Sequence, residues 1–147
     1  MLTKNSRGEK TYLDLVFDMP VTEKLSGKGK EVNAYLLADF MAEMKVRDSE
    51  AMAVVERVGA MPGQGTTSMF GFGRSLGVIE GVLAGLGISV AWVTPQKWKK
   101  KFGLIKKEKD AARGLVLGMY PERSDLFARK KDGGRADAVL IGLSGIE

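Results

Sequence analysis

The chain has 147 residues, 44% hydrophobic and 28% charged, an ordinary globular composition that excludes an intrinsically disordered class. It holds neither Cys nor His, so disulfides and thiolate or imidazole metal sites are excluded, and any bound metal must take oxygen ligands, as Mg²⁺ and Mn²⁺ do. Lys and Arg number 23 against 18 Asp and Glu, a formal charge of +5 that points only weakly to an anionic partner. At this length one domain over residues 1–147, with a real core, is expected.

The opening stretch Met1 to Gly8 lacks the apolar run of a signal peptide, and Asn5-Ser6-Arg7-Gly8 reads as a turn. Tyr12 to Asp18 reads as a strand stopped by Pro20, with Asp14 and Asp18 on one face. Glu23 to Lys30 is polar and Gly-rich, a loop. Asn33 can cap a helix reaching about Met44, with Tyr35, Leu36, Phe40 and Met44 as its apolar stripe. Met52-Ala53-Val54-Val55 reads as a buried strand ending at Glu56.

A glycine-rich loop, Gly59 to Gly65, leads into a helix from about Thr67 to Leu86. Gly73, Gly77, Gly81 and Gly85 stripe it at a spacing of four. Each glycine costs a helix about 1 kcal/mol against Ala, so the stripe predicts that another backbone, the sheet or a second copy, comes close. Leu76 to Val93 contains Glu80 and is broken at Gly87, which fits a helix plus a strand better than a membrane span. Ile88 to Val93 is that strand. Thr94-Pro95 starts a short helix that Gly103 ends. Another helix runs from Lys107 to about Met119 before Pro121, and the last from Ala136 to about Leu143. Strands alternating with helices predict an α/β sheet, at least partly parallel, with acids at strand ends.

The stretch Lys130-Lys131-Asp132-Gly133-Gly134-Arg135-Ala136-Asp137 reads as a loop opening the last helix, with Asp137 in its first turn. The helix dipole favours an acid there by a few tenths to about 1 kcal/mol, which by itself explains a lone Asp. Glu56, Asp132 and Asp137 together would form a carboxylate cluster. Two divalent ions held roughly 4 Å apart by such a cluster activate water and stabilise the leaving oxygen in phosphodiester cleavage. Seven lysines and one acid lie between Lys97 and Lys109, interleaved with Trp98 and Phe102, and Arg129-Lys130-Lys131 with Arg135 forms a second basic cluster. A solvated lysine face is the plain reading of each. Two clusters beside an acidic centre read better as a phosphate groove with a metal at its floor, binding salt-sensitively and without regard to sequence.

Four stretches then add a resemblance. They are Val55-Glu56-Arg57-Val58-Gly59-Ala60-Met61-Pro62-Gly63-Gln64-Gly65, Phe72-Gly73-Arg74-Ser75, Val93-Thr94-Pro95-Gln96-Lys97-Trp98-Lys99-Lys100, and Lys130 to Ala138. Together they resemble the RuvC-like Holliday junction resolvases, especially phage-type members, over about Asp18 to Leu143. The resemblance implies an RNase H-like mixed sheet flanked by helices. It implies Mg²⁺- or Mn²⁺-dependent endonuclease activity on branched DNA, and a homodimer seamed by the glycine-striped helix. A cytoplasmic place in a bacterial or phage-infected cell goes with it. Glu56, Asp132 and Asp137 would be the catalytic and metal-holding acids. Lys97, Lys99, Lys100, Lys109, Lys130, Lys131 and Arg135 would face the DNA.

Two departures accompany it. The family's first strand, with its Asp, has no counterpart here, so the chain is expected to start at the second strand, with Tyr12 to Asp18 matching the third. Asp14 and Asp18 are the substitute ligands on offer, but a strand in another place seldom points its acid correctly. Gly59 stands where some relatives carry a junction-wedging aromatic. Phe70, Phe72 and Met61 are the replacements available, each better explained as core. The alternatives to a nuclease are a catalytically impaired junction-binding protein of the same fold, or an interaction protein whose lysines only solubilise it.

Overall fold

The computed structural model describes residues 1–4, 11–59, 63 and 65–146. The expected turn at Asn5 to Gly8 and the wedge candidate Met61 lie outside them. The secondary structure is mixed α/β. In chain order it runs β1 (Leu2–Lys4), β2 (Thr11–Leu13), β3 (Val21–Glu23), β4 (Lys30–Val32), α1 (Ala34–Arg47), β5 (Met52–Glu56), α2 (Thr66–Gly85), β6 (Ser89–Val93), α3 (Pro95–Lys101), α4 (Ala111–Met119), 3₁₀ turns over Pro121–Phe127 and Lys130–Asp132, and α5 (Gly133–Gly145). The strands pair as β1 with β2, β3 with β4, and β5 with β6. The first two pairs are antiparallel, with Thr3 opposite Tyr12 and Thr22 opposite Glu31.

The chain divides into two compact units, residues 1–18, 54–57 and 92–147 in the first and 19–53 and 58–91 in the second. In the first unit the core gathers Leu13, Val93, Trp98, Ala112, Val116, Tyr120, Phe127, Ala136, Val139 and Leu140. Burying each large apolar side chain stabilises by about 1.5–3 kcal/mol, and Phe127, Val116 and Leu140 are fully enclosed. Helix α5 lies close on its neighbours through two glycines. A Cβ at Gly142 would meet Leu2 Cδ1 at 2.7 Å, and one at Gly145 would meet Val54 Cγ1 at 2.5 Å. Those two contacts fix α5 against β1 and β5.

In the second unit α1 and α2 pack together and α2 also meets β4. Asn33 caps α1, accepting from Leu36 N at 3.1 Å. The buried face of α1 differs from the expected stripe. Leu37 and Met44 are inside, while Tyr35 is 86% exposed and Leu36 also faces water. The Asn33 cap sets the helix phase, and that phase turns Leu37 inward. Helix α2 ends at Gly85, and Gly87 turns the chain into β6 with φ +61, a left-handed conformation that suits glycine. Lys45 holds the turn by donating to the carbonyls of Leu86 and Gly87.

Several expectations change. The strand over Tyr12 to Asp18 stops at Leu13, because only Thr11–Leu13 finds a partner in β1, so Asp14 and Asp18 share no strand face. The loop at Glu23 to Lys30 closes a hairpin, with positive φ at Gly27 and Gly29. Helix α4 starts at Ala111 instead of Lys107, after a turn in which Lys106 takes φ +59. Among the described residues, and apart from the helix's own neighbouring backbone, nothing lies within 4 Å of a Cβ built at Gly73, Gly77, Gly81 or Gly85, so no described strand seats on the stripe. Phe70, 75% exposed, and Phe72, 44% exposed, are surface residues and not core.

Candidate functional site

Strand β5 ends at Glu56, and Arg57 N extends the pairing by donating to Val93 O at 2.9 Å. The next element after Val93 is α3. Its Thr94 accepts from Lys97 N at 3.3 Å and Pro95 fills the first turn, so the helix start is fixed locally by sequence. That start aims Trp98 into the core and its indole at β5. Trp98 Nε1 donates to Glu56 Oε1 at 2.6 Å. Lys99 Nζ lies 5.3 Å from the centre of the Trp98 ring.

Asp137 comes to the same place from α5. Burial pushes its carboxyl above the ordinary aspartate range, the charge of Glu56 pushes the same way, and Lys99 and Lys109 oppose them. The charges of Glu56, Lys99 and Lys109 are thus all felt at Asp137. Beside Asp137 a cleft is lined by Lys109, Lys130 and Lys131, with Asp110 and the backbone of Gly133 and Gly134.

Asp132 does not join them. It stands at the N-cap position of α5, its side chain turned to Arg129 instead of the helix, and is 3% exposed. Its carboxylate accepts from Arg129 N at 2.9 Å and from Arg129 Nη2 at 2.8 Å. The Arg129 guanidinium holds its pKa down, to about 2. The helix begins at Gly133, so Asp137 sits in its second turn and Asp132 takes the dipole-favoured place expected for Asp137. Among the described residues no three carboxylates stand close enough to hold a metal ion by themselves.

Of the seven cations expected to face DNA, Lys109, Lys130 and Lys131 line the cleft and Lys99 acts on Asp137. Lys97 and Lys100 are exposed on α3. Arg135 is engaged elsewhere: it binds Asp18 through two nitrogens and donates to Leu126 O at 3.1 Å. Asp14, accepting from Thr3 Oγ1 at 2.8 Å, and Asp18 are likewise engaged away from Glu56. Sequence reasoning missed the part of Trp98. The signal was present, since a tryptophan one turn into a capped helix beside a strand-end acid needs an acceptor for its N–H. It also missed Arg129, three residues before the acid it grips, the spacing of a capping pair.

Oxygen donors suit a hard divalent cation. Mg²⁺ is commonly bound by one or two carboxylates, the rest of its shell coming from water and substrate phosphate. Glu56 and Asp137 fit that description, and a cation between them would offset the burial and, after it, the Glu56 charge that raise the Asp137 pKa.

No family model matches the chain. The chain is similar to the Holliday junction resolvase MOC1, chloroplastic, of Chlamydomonas reinhardtii, with 30% identity over 118 residues. The match takes in 80% of this chain and spans 13% of that protein's length. Among the described residues no helix is long and apolar enough to cross a membrane.

Proposed function

We infer that this chain is a structure-selective endonuclease domain that cleaves phosphodiester bonds in branched DNA and so resolves Holliday junctions. The observation that carries the reading is Asp137, lining a lysine-rich cleft and feeling the Glu56 charge, in a chain similar to a junction resolvase. An RNase H-like arrangement of a single domain is part of the proposal.

Glu56 and Asp137 would hold Mg²⁺ or Mn²⁺, which when bound would supply an activated water and stabilise the departing oxygen. Asp132, the third expected ligand, reaches such an ion only by releasing Arg129. The chain's own residues do the rest. Lys109, Lys130 and Lys131 attract the phosphate backbone and set its register without reading bases. Lys99 keeps Asp137 nearer its ionised, metal-binding form. The exposed Gly73–Gly85 stripe of α2 is the proposed seam of a homodimer, suited to opposed cuts in a symmetric four-way junction.

The test is nicking of a synthetic four-way junction by the purified chain in Mg²⁺. Nicking of the junction in preference to linear duplex, lost in Glu56→Gln, is expected. Nicking that survives Glu56→Gln overturns the assignment.

A further inference from the structure

Trp98 is 2% exposed and belongs to the core of the first unit. A buried indole N–H needs an acceptor, and a backbone carbonyl usually suffices. Here the acceptor is an ionisable side chain, Glu56 Oε1 at 2.6 Å, beside a second carboxylate. The donor is held rigidly. Thr94 and Pro95 fix the start of α3, and Phe102 N and Gly103 N close its end on Trp98 O and Lys100 O. Glu56 is the last residue of β5, and its side chain turns about three bonds.

We propose that Trp98 is a positioning residue: its indole N–H pins Glu56 Oε1, so that Oε2 is presented together with Asp137 to a divalent cation. The inference rests on the nuclease reading. It explains why a tryptophan stands at the first core position of a helix that is otherwise lysine-rich. It also gives the lone glutamate a fixed rotamer before metal arrives, which lowers the ordering cost of binding. A donor to one carboxylate oxygen orients the other, the role that hydrogen-bonded partners of metal ligands play generally.

The test follows Mg²⁺ titration of the ¹⁵N-labelled full chain by the indole N–H resonances of its two tryptophans, Trp92→Phe assigning them. The Trp98 indole should shift saturably, with the same midpoint as the Asp137 amide, and Glu56→Gln should abolish the shift. Calorimetry of Trp98→Phe, which keeps a ring in the core, should show Mn²⁺ binding roughly ten- to a hundredfold weaker. The wild-type titration stands even if that variant misfolds. An Asp137 amide that responds to Mg²⁺ while the Trp98 indole stays still overturns the inference, as does undiminished Mn²⁺ affinity in Trp98→Phe. No response to Mg²⁺ anywhere overturns it together with the nuclease reading. Junction nicking with an unmoved indole overturns the inference alone.

Discussion

Arg135 grips Asp18 with both arms of its guanidinium, Nε to Oδ1 at 2.7 Å and Nη2 to Oδ2 at 2.8 Å, across 117 residues of sequence. The pair draws the Asp18 pKa down, chiefly through these hydrogen bonds. A cation so engaged contributes to the fold before it contributes to any ligand. Arg135→Ala should cost on the order of 1 kcal/mol in urea unfolding, since Asp18 is mostly exposed and the pair is partly screened. Its effect on junction affinity should be small. Lys130→Ala and Lys131→Ala should do the reverse, leaving stability unchanged and lowering the slope of log K against log salt by about 1 each. Fluorescence anisotropy with a labelled junction at several salt concentrations measures this.

Asp132 should govern acid stability. Its folded pKa is depressed to about 2, chiefly by the Arg129 side chain, so its contribution is present above the ordinary aspartate pKa and fades as pH falls through about 2. Asp132→Asn should therefore lower the melting temperature at pH 7, with the gap to wild type closing steadily below about pH 4. A gap that is constant with pH would assign the loss to packing.

Asp137 has the opposite sign. Its folded pKa is raised, first by burial, so any stabilisation linked to its proton is present at low pH and lost as pH rises through the raised value. In metal-free buffer Asp137→Asn should melt higher than wild type near neutral pH, with the gain vanishing below the ordinary aspartate range. Activity should be lost in the same variant. Stability gained while function is lost is the signature of a site held in tension.

Glu56→Gln keeps an oxygen able to accept from Trp98 Nε1, so circular dichroism and melting should change little. Nicking should fall on the order of 10²–10³-fold, the scale of removing one preorganised charge-stabilising group. A variant equally inactive but unfolded would show nothing about the chemistry, so both measurements are made on the same preparation.

The open stripe on α2 makes a further prediction. Among the described residues Gly77→Ala and Gly81→Ala meet nothing within 4 Å beyond the helix's own backbone, so each should stabilise an isolated helix face by about 0.5–1 kcal/mol. Leucine at both positions fits a lone chain but not a close helix seam. Sedimentation should then fall from a two-chain to a one-chain mass. An unchanged mass removes the seam from the proposal.

Local chemistry made part of this legible. Asn33 and Thr94-Pro95 announce α1 and α3 because capping is a property of three or four adjacent residues. Met52–Glu56 reads as a strand because its residues are apolar up to the acid. Long-range partners were not legible. Nothing near Asp18 names Arg135, and nothing near Glu56 names Trp98. The start of α5 lies three residues earlier than expected, since Gly133 and Gly134 look like loop in sequence but are the first residues of the helix. The Glu56 charge acts on Asp137, whereas Asp132, grouped with them by the acidic pattern and the resemblance, is held by Arg129.

Four arginines of the first unit, at 113, 123, 129 and 135, each bind a carboxylate or a main-chain carbonyl within that unit. The cleft beside Asp137 is lined by lysines. These four guanidinium groups thus brace the framework, while the amines of the cleft meet the outside. Amines can be acylated and guanidinium groups resist it, so mild acetylation would strip the attraction for polyanions while the scaffold stays standing.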